Sequence, residues 1–168
     1  MQVVRPRQRG DVGAAPVDGH ADVLVRGVPI PRYAGLRMGL PCMGRLVRLW
    51  TQQRPDVVHI ATEGPLGRSA LLAAQALGLP VCSEFRTNFH AYSRHYGLGF
   101  LRGIIIGYLR RFHNATHCTM VPTQALHDHL QREGFHNLLT VARGVDIRRF
   151  DAAHRSDDLR AQWGAAPE

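Results

Sequence analysis

Hydrophobic and polar positions along this chain alternate between two periods. Short runs rich in β-branched residues are bounded by turn formers at Val3-Val4 (stopped by Pro6), Asp22–Val25, Val57–Ile60, Val81–Phe85, Cys118–Val121 and Leu138–Ala142. Each reads as a strand. Between them, apolar residues recur at helical spacing. Leu46, Val47, Leu49 and Trp50 fall opposite Arg45, Arg48 and Arg54. Arg68 to Leu77 is a run of helix formers stopped by Gly78-Leu79-Pro80. Leu98, Leu101, Ile105, Tyr108, Leu109 and Phe112 form a stripe interleaved with Arg102, Arg110 and Arg111. Thr123 is placed to cap a helix running to Arg132, with Gly134 just beyond its end, and Ser156 to cap a short one ending near Trp163-Gly164. Arg7 to His20 lacks periodicity and reads as loop, and Pro29, Pro31, Gly35 and Pro41 predict an extended connector.

Strands that alternate with helices predict an α/β domain, with about six parallel strands in one doubly wound sheet covered on both faces. The clearest βαβ unit lies between Arg54 and Phe85. Its first strand runs into Thr62-Glu63-Gly64-Pro65-Leu66-Gly67, a loop whose glycines would let a ligand approach the backbone at a helix N-terminus. The same loop also reads as a plain tight βα turn, in which Glu63 caps its own helix. Its second strand runs into Arg86-Thr87-Asn88-Phe89-His90-Ala91-Tyr92, where six of seven residues are polar or aromatic. Ligands in open α/β sheets sit beyond the carboxyl ends of the strands, so these two loops are expected to converge on one cleft. Aromatic and hydrogen-bonding groups at this density suit sugar hydroxyls, and an arginine suits a phosphate.

Composition narrows the partners. The chain has 168 residues, 45% of them hydrophobic, and a formal net charge of +8. That balance favours an anionic partner: nucleic acid, an acidic membrane surface or a phosphorylated ligand. The basic residues are scattered and carry no nucleic-acid motif, so nucleic acid is set aside. Three cysteines without CxxC spacing read as reduced core thiols of a cytoplasmic protein. No secretory leader is legible after Met1, and the apolar patch from Gly103 to Leu109 is too short to cross a bilayer. Among ten histidines, His113 and His117 are four apart, as a zinc pair on one helical face would be. No third ligand stands at a suitable spacing, and no metal is expected. The 98–112 helix reads as core-facing, with a membrane-surface role as the rival reading.

The segments RPDVVHIATEGPLGRSAL, FRTNFHAYSRHYGLG, RRFHNATHCTMVPT and RGVDIRRFD followed by RSDDLRAQWG cover most of the chain. Together they resemble the N-terminal domain of family 4 GT-B glycosyltransferases, in particular GDP-mannose-dependent α-mannosyltransferases and related glycolipid transferases. The resemblance implies one Rossmann-like half of a GT-B fold over residues 1–150, with 151–168 starting the linker to a second domain that lies outside this chain, on another polypeptide if anywhere. It also implies retaining transfer of a hexosyl group, mannosyl above all, from a nucleotide-sugar such as GDP-mannose to a lipid or glycan acceptor. No further cofactor is implied, and the site would be cytoplasmic, with possible peripheral contact at the inner face of the membrane.

On that resemblance Arg86, Glu63 and Asn88 are assigned to the reaction, and Gly64, Thr87, His90, Tyr92, Arg143 and Asp146 to substrate binding. Arg86 stands where the family's FHTNF motif has histidine. It is longer and always charged, and cannot act as an imidazole. The family's first central strand and glycine-rich loop also precede the segment matching Gln2–Pro6. Without them, the Gln2–Arg5 strand is expected either to pair directly with Val57–Ile60 or to stand apart from it. The alternatives are a non-catalytic sugar or lipid-headgroup binding domain, and a truncated gene product.

Overall fold

A computed structural model describes residues 1–8, 11, 21–31, 33, 35–86, 102–142 and 144–164. Its eight strands fall into three sheets, where the sequence predicts one. β1 (Gln2–Pro6) pairs in parallel with β2 (Ala21–Val25), and β3 (Gly27–Pro29) pairs antiparallel with β4 (Arg37–Gly39). The main sheet is parallel in the order β5 (Val58–Ile60), β6 (Val81–Glu84), β7 (Cys118–Val121), β8 (Leu138–Thr140). β1 does not hydrogen-bond to β5; it stands apart, as the second of the two expected arrangements has it. Val4 nevertheless packs against the core beneath β5.

The β3–β4 hairpin occupies the stretch read as an extended connector. Its prolines allow it because an edge strand can spare an amide. Gly35 takes the turn at φ +87°, the Ile30 amide donates to the Leu36 carbonyl, and the Arg37 guanidinium donates to the Gly27 carbonyl at 2.6 Å. These contacts join residues six and ten apart and leave no periodic trace in so short a segment.

Among the described residues five α-helices follow the predicted order: α1 (Met43–Gln52), α2 (Pro65–Ala76), α3 (Arg102–Asn114), α4 (Gln124–Arg132) and α5 (Asp157–Gln162). Thr123 and Ser156 cap α4 and α5 as expected, accepting from the amides of Leu126 and Leu159. α2 begins three residues before the predicted start, because Pro65 supplies the preset φ of a first helical position. α3 runs two residues past the predicted Phe112, and its buried stripe is Ile106, Leu109 and Phe112 with His113. Tyr108, counted in the predicted stripe, is 36% exposed. Leu98 and Leu101 of that stripe lie outside the described residues.

The core sits on one face of the main sheet. Side chains alternate along a strand, so Val58, Ile60, Val81, Ser83, Phe85, Thr119 and Val121 all point the same way, and all are buried. Leu46 and Trp50 of α1, Leu71, Ala73 and Ala74 of α2 and Phe112 of α3 close over the β5–β6 half. Ile106, Leu109, Leu130 and Phe135 close over the β6–β7 half. On the opposite face Val57, Leu139 and Val141 are 52%, 51% and 44% exposed, with Cys82, Glu84, Cys118 and Met120 only partly covered. The expected cover on both faces is therefore absent among the described residues. Both α2 and α3, the helices that follow β5 and precede β7, pack on the same side.

One glycine locks the loop after β5 to its helix. A Cβ on Gly67 would lie 2.0 Å from the Thr62 carbonyl oxygen and 3.0 Å from Ile60 Cγ2, whereas one on Gly64 would meet nothing. Gly67→Ala should lower stability by about 1–3 kcal/mol, because a backbone oxygen cannot yield as a flexible side chain can. Gly64→Ala should change it by no more than about 0.5 kcal/mol. Urea unfolding followed by circular dichroism measures both, and equal effects would contradict the close approach.

Candidate functional site at the carboxyl end of the main sheet

Glu63 and Arg86 leave the carboxyl ends of adjacent strands, β5 and β6. From these adjacent strand ends their side chains turn different ways. Glu63 turns to the covered face, where Oε1 lies 3.2 Å from Nε2 of His113. Its main chain is held as well, since the Tyr108 hydroxyl donates to the Glu63 carbonyl. Partial burial, with a smaller effect of the nearby Glu63 carboxylate, raises the Tyr108 pKa, so this hydroxyl stays a donor. Gly64 caps α2 with an extended backbone and open space beside it.

Arg86 turns to the other face. Its guanidinium pairs with Glu84 Oε2 at 2.7 Å, and His59 Nε2 approaches the same oxygen at 3.5 Å. Alternation explains the grouping: Glu84 follows buried Ser83, and His59 lies between buried Val58 and Ile60. The hydrogen bond from Arg86 holds the Glu84 carboxyl below the usual carboxylate range against the opposing effect of partial burial, and raises the Arg86 pKa in turn. A cavity of about 180 Å³ opens beside this pair where β6, β7 and β8 end, lined by Glu84, Phe85, Arg86, Met120, Val121, Pro122 and Val141. Arg86 is thus available to an anion only in competition with Glu84.

The remaining site residues separate. Thr87, Asn88, His90, Tyr92 and Arg143 lie outside the described residues. Asp146 spends its carboxylate locally, with Oδ1 accepting from the amides of Arg148 and Arg149 at 3.0 and 3.2 Å. The two histidines weighed as a zinc pair part company. His113 faces Ser83 and Glu63, while His117 Nδ1 accepts from the Val81 amide at 3.1 Å. Among the described residues no group of three His, Cys, Asp or Glu side chains could hold a metal ion.

Sequence reasoning missed a polar cluster behind Glu63. His113, Ser83, Thr116 and Thr119 are all buried and mutually hydrogen-bonded, with Ser83 Oγ 2.9 Å from His113 Nδ1, 3.1 Å from Thr116 Oγ1 and 3.0 Å from Thr119 Oγ1. The available signal was hydroxyl residues at the buried positions of two predicted strands. Ser83 and Thr119 are register partners on β6 and β7.

The model of Glycosyltransferase Family 4 matches residues 1–149. The chain belongs to glycosyltransferase family 4. Family 4 relatives include a GDP-mannose-dependent α-mannosyltransferase of Mycobacterium tuberculosis, 31% identical over 147 residues (86% of this chain, 39% of the relative). One of the same description from Mycolicibacterium smegmatis is 30% identical over 155 residues (90% and 41%), and a sulfoquinovosyl transferase of Arabidopsis thaliana is 26% identical over 138 residues (80% and 27%). The chain spans about two fifths of the length of the mannosyltransferases it matches. As family 4 implies, the domain is mixed α/β, with helices packed on a four-stranded parallel sheet. Among the described residues no helix is long and apolar enough to cross a membrane.

The Glu84–Arg86 pair carries a pH signature. A carboxyl whose folded pKa is depressed stabilises the fold above its unfolded value of about 4.3, and that contribution is lost as pH falls through the folded value. Arg86→Ala should therefore raise the Glu84 pKa toward the ordinary range and destabilise the chain at pH 7, an effect that fades as pH falls through the folded value. Carbon-detected NMR titration of the Glu84 carboxyl reads the shift directly, and an unmoved midpoint would contradict the pairing.

Proposed function

We propose that this chain supplies the acceptor side of the cleft of a retaining family 4 glycosyltransferase, which moves a mannosyl or related hexosyl group from a nucleotide-sugar such as GDP-mannose to a lipid or glycan acceptor. The observation that carries the reading is the family match over residues 1–149, which includes both loops at the carboxyl end of the sheet. The mannosyltransferase relatives point to the sugar donor. Residues 151–168 begin the passage to a donor-binding half outside this chain. Glu63 and Asn88 recognise acceptor or sugar hydroxyls, Arg86 lies toward the sugar–phosphate region, and Gly64, Thr87, His90, Tyr92, Arg143 and Asp146 complete the wall. A lipid acceptor would bring the domain to a membrane surface as a peripheral protein.

The ion pair between Arg86 and Glu84 favours a second reading, in which the domain binds a sugar or lipid headgroup without transferring it. An arginine already neutralised by a neighbouring carboxylate contributes less charge to a departing phosphate. One experiment separates the two. The chain joined to the donor-binding half of a family 4 mannosyltransferase should transfer mannose from GDP-mannose to a lipid acceptor, and the chain alone should not. Arg86→His in the joined protein should raise the rate several-fold, and an unchanged rate would remove Arg86 from the mechanism. Donor binding without any transfer, before and after that substitution, would leave only the second reading.

A further inference from the structure

The cluster behind Glu63 is expensive to bury and is not required by the packing. The His113 ring is fully enclosed, with the rings of Phe85, Phe112 and Phe135 at centroid distances of 5.2, 5.3 and 6.1 Å. An apolar side chain would fill that space without the penalty of desolvating an imidazole and three hydroxyls. What the imidazole provides instead is a directed connection. One ring nitrogen meets Ser83 in the interior, and the other meets a carboxylate whose side chain is 12% exposed, at the loop where β5 ends.

We propose that His113 is a positioning residue, and that with Ser83 it fixes the orientation of the Glu63 carboxylate toward a ligand hydroxyl. Proton accounting gives the polarity of the connection. An ionised carboxylate only accepts, so Nε2 of His113 carries the proton that reaches Glu63 Oε1. In the neutral ring Nδ1 must then accept, and the Ser83 hydroxyl donates to it. Ser83 Oγ keeps lone pairs for the Thr119 hydroxyl, while Thr116 Oγ1 donates to the carbonyl of His113 at 2.7 Å. Every donor in the chain of bonds has an acceptor, and the chain runs in one direction, from threonine through serine and histidine to Glu63. Oε1 is bound from behind, and Oε2, which has no hydrogen bond to any described residue, is the oxygen the proposal assigns to an incoming hydroxyl. Tyr108 holds the carbonyl of the same residue, and Gly67 lets Thr62 seat against α2, so main chain and side chain of Glu63 are fixed by separate contacts. A preorganised acceptor of this kind does not have to be ordered when substrate arrives.

The proposal rests on the reading of Glu63 as a hydroxyl-binding group, and the test separates the two. In the 168-residue chain carrying 15N-labelled histidine, the His113 ring should show one tautomer, protonated on Nε2. Glu63→Gln should shift that nitrogen's resonance, and Ser83→Ala should shift Nδ1, which loses its donor, while Nε2 keeps its proton toward Glu63. A proton on Nδ1, or an Nε2 resonance indifferent to Glu63→Gln, would overturn the positioning role. Methyl α-mannopyranoside then probes the site, followed by titration calorimetry in every variant and, where Glu63 is present, at its carboxyl carbon. Ser83→Ala should weaken its binding at least threefold in the wild-type background and not at all in a Glu63→Ala background, because a residue acting through another loses its effect when that other is gone. Equal loss in both backgrounds would also overturn the role. A Glu63 carbon that ignores the mannoside while the tautomer and its coupling to Glu63 stand would sink the hydroxyl-binding reading alone.

Discussion

A polar layer inside an apolar one has to satisfy itself without water, and that constraint organises the main sheet. Ser83 on β6 and Thr119 on β7 stand side by side on the face that the helices cover. Their hydroxyls cannot reach solvent, so they need partners from the layer above. His113, in the last turn of α3, and Thr116, in the turn that follows it, supply them. This fixes where α3 ends over the sheet, and with it the start of β7. On the β5 side the same histidine reaches Glu63. The arrangement specifies position more than it adds stability, since each hydrogen bond mainly offsets the cost of burying its own groups.

The two faces of the sheet therefore carry different chemistry. On the covered side, hydroxyls and an imidazole end at Glu63. On the open side, charged groups gather around Glu84, with His59 and Arg86 on one oxygen. Both sets reach the same end of the sheet because parallel strands deliver all their carboxyl ends together. Strand alternation, and not distance along the chain, decides to which set a residue belongs. Glu84 and Phe85 are neighbours in sequence, yet one serves the ion pair and the other packs against His113.

Much of this was legible in the sequence. The strands of the main sheet, the helices between them and the caps at Thr123 and Ser156 all follow from period, turn chemistry and the α/β rule. The hairpin of β3 and β4 was hidden because three-residue strands among prolines show no alternation. The face left open among the described residues was hidden because a half-covered parallel strand reads like a fully covered one: Val57, Leu139 and Val141 are the residues a buried position would also choose. His113 was hidden for a different reason. Helical spacing paired it with His117, but α3 ends at Asn114, and the chain turns before His117, so the two rings never share a face. Its true partners, Ser83 and Glu63, are thirty and fifty residues away.

The face left open among the described residues also bears on how the molecule behaves among its own kind. Val57, Leu139 and Val141 expose apolar area on that face, and two such surfaces meeting would each remove it from water. What opposes that meeting is the formal charge of +8 on every copy. Mutual repulsion of this sort acts over roughly 10 Å in 0.1 M salt and only about 3 Å in 1 M. The colloidal behaviour of the domain is thereby tied to ionic strength: dilute buffers keep copies apart, and concentrated ones let the uncovered strands find each other.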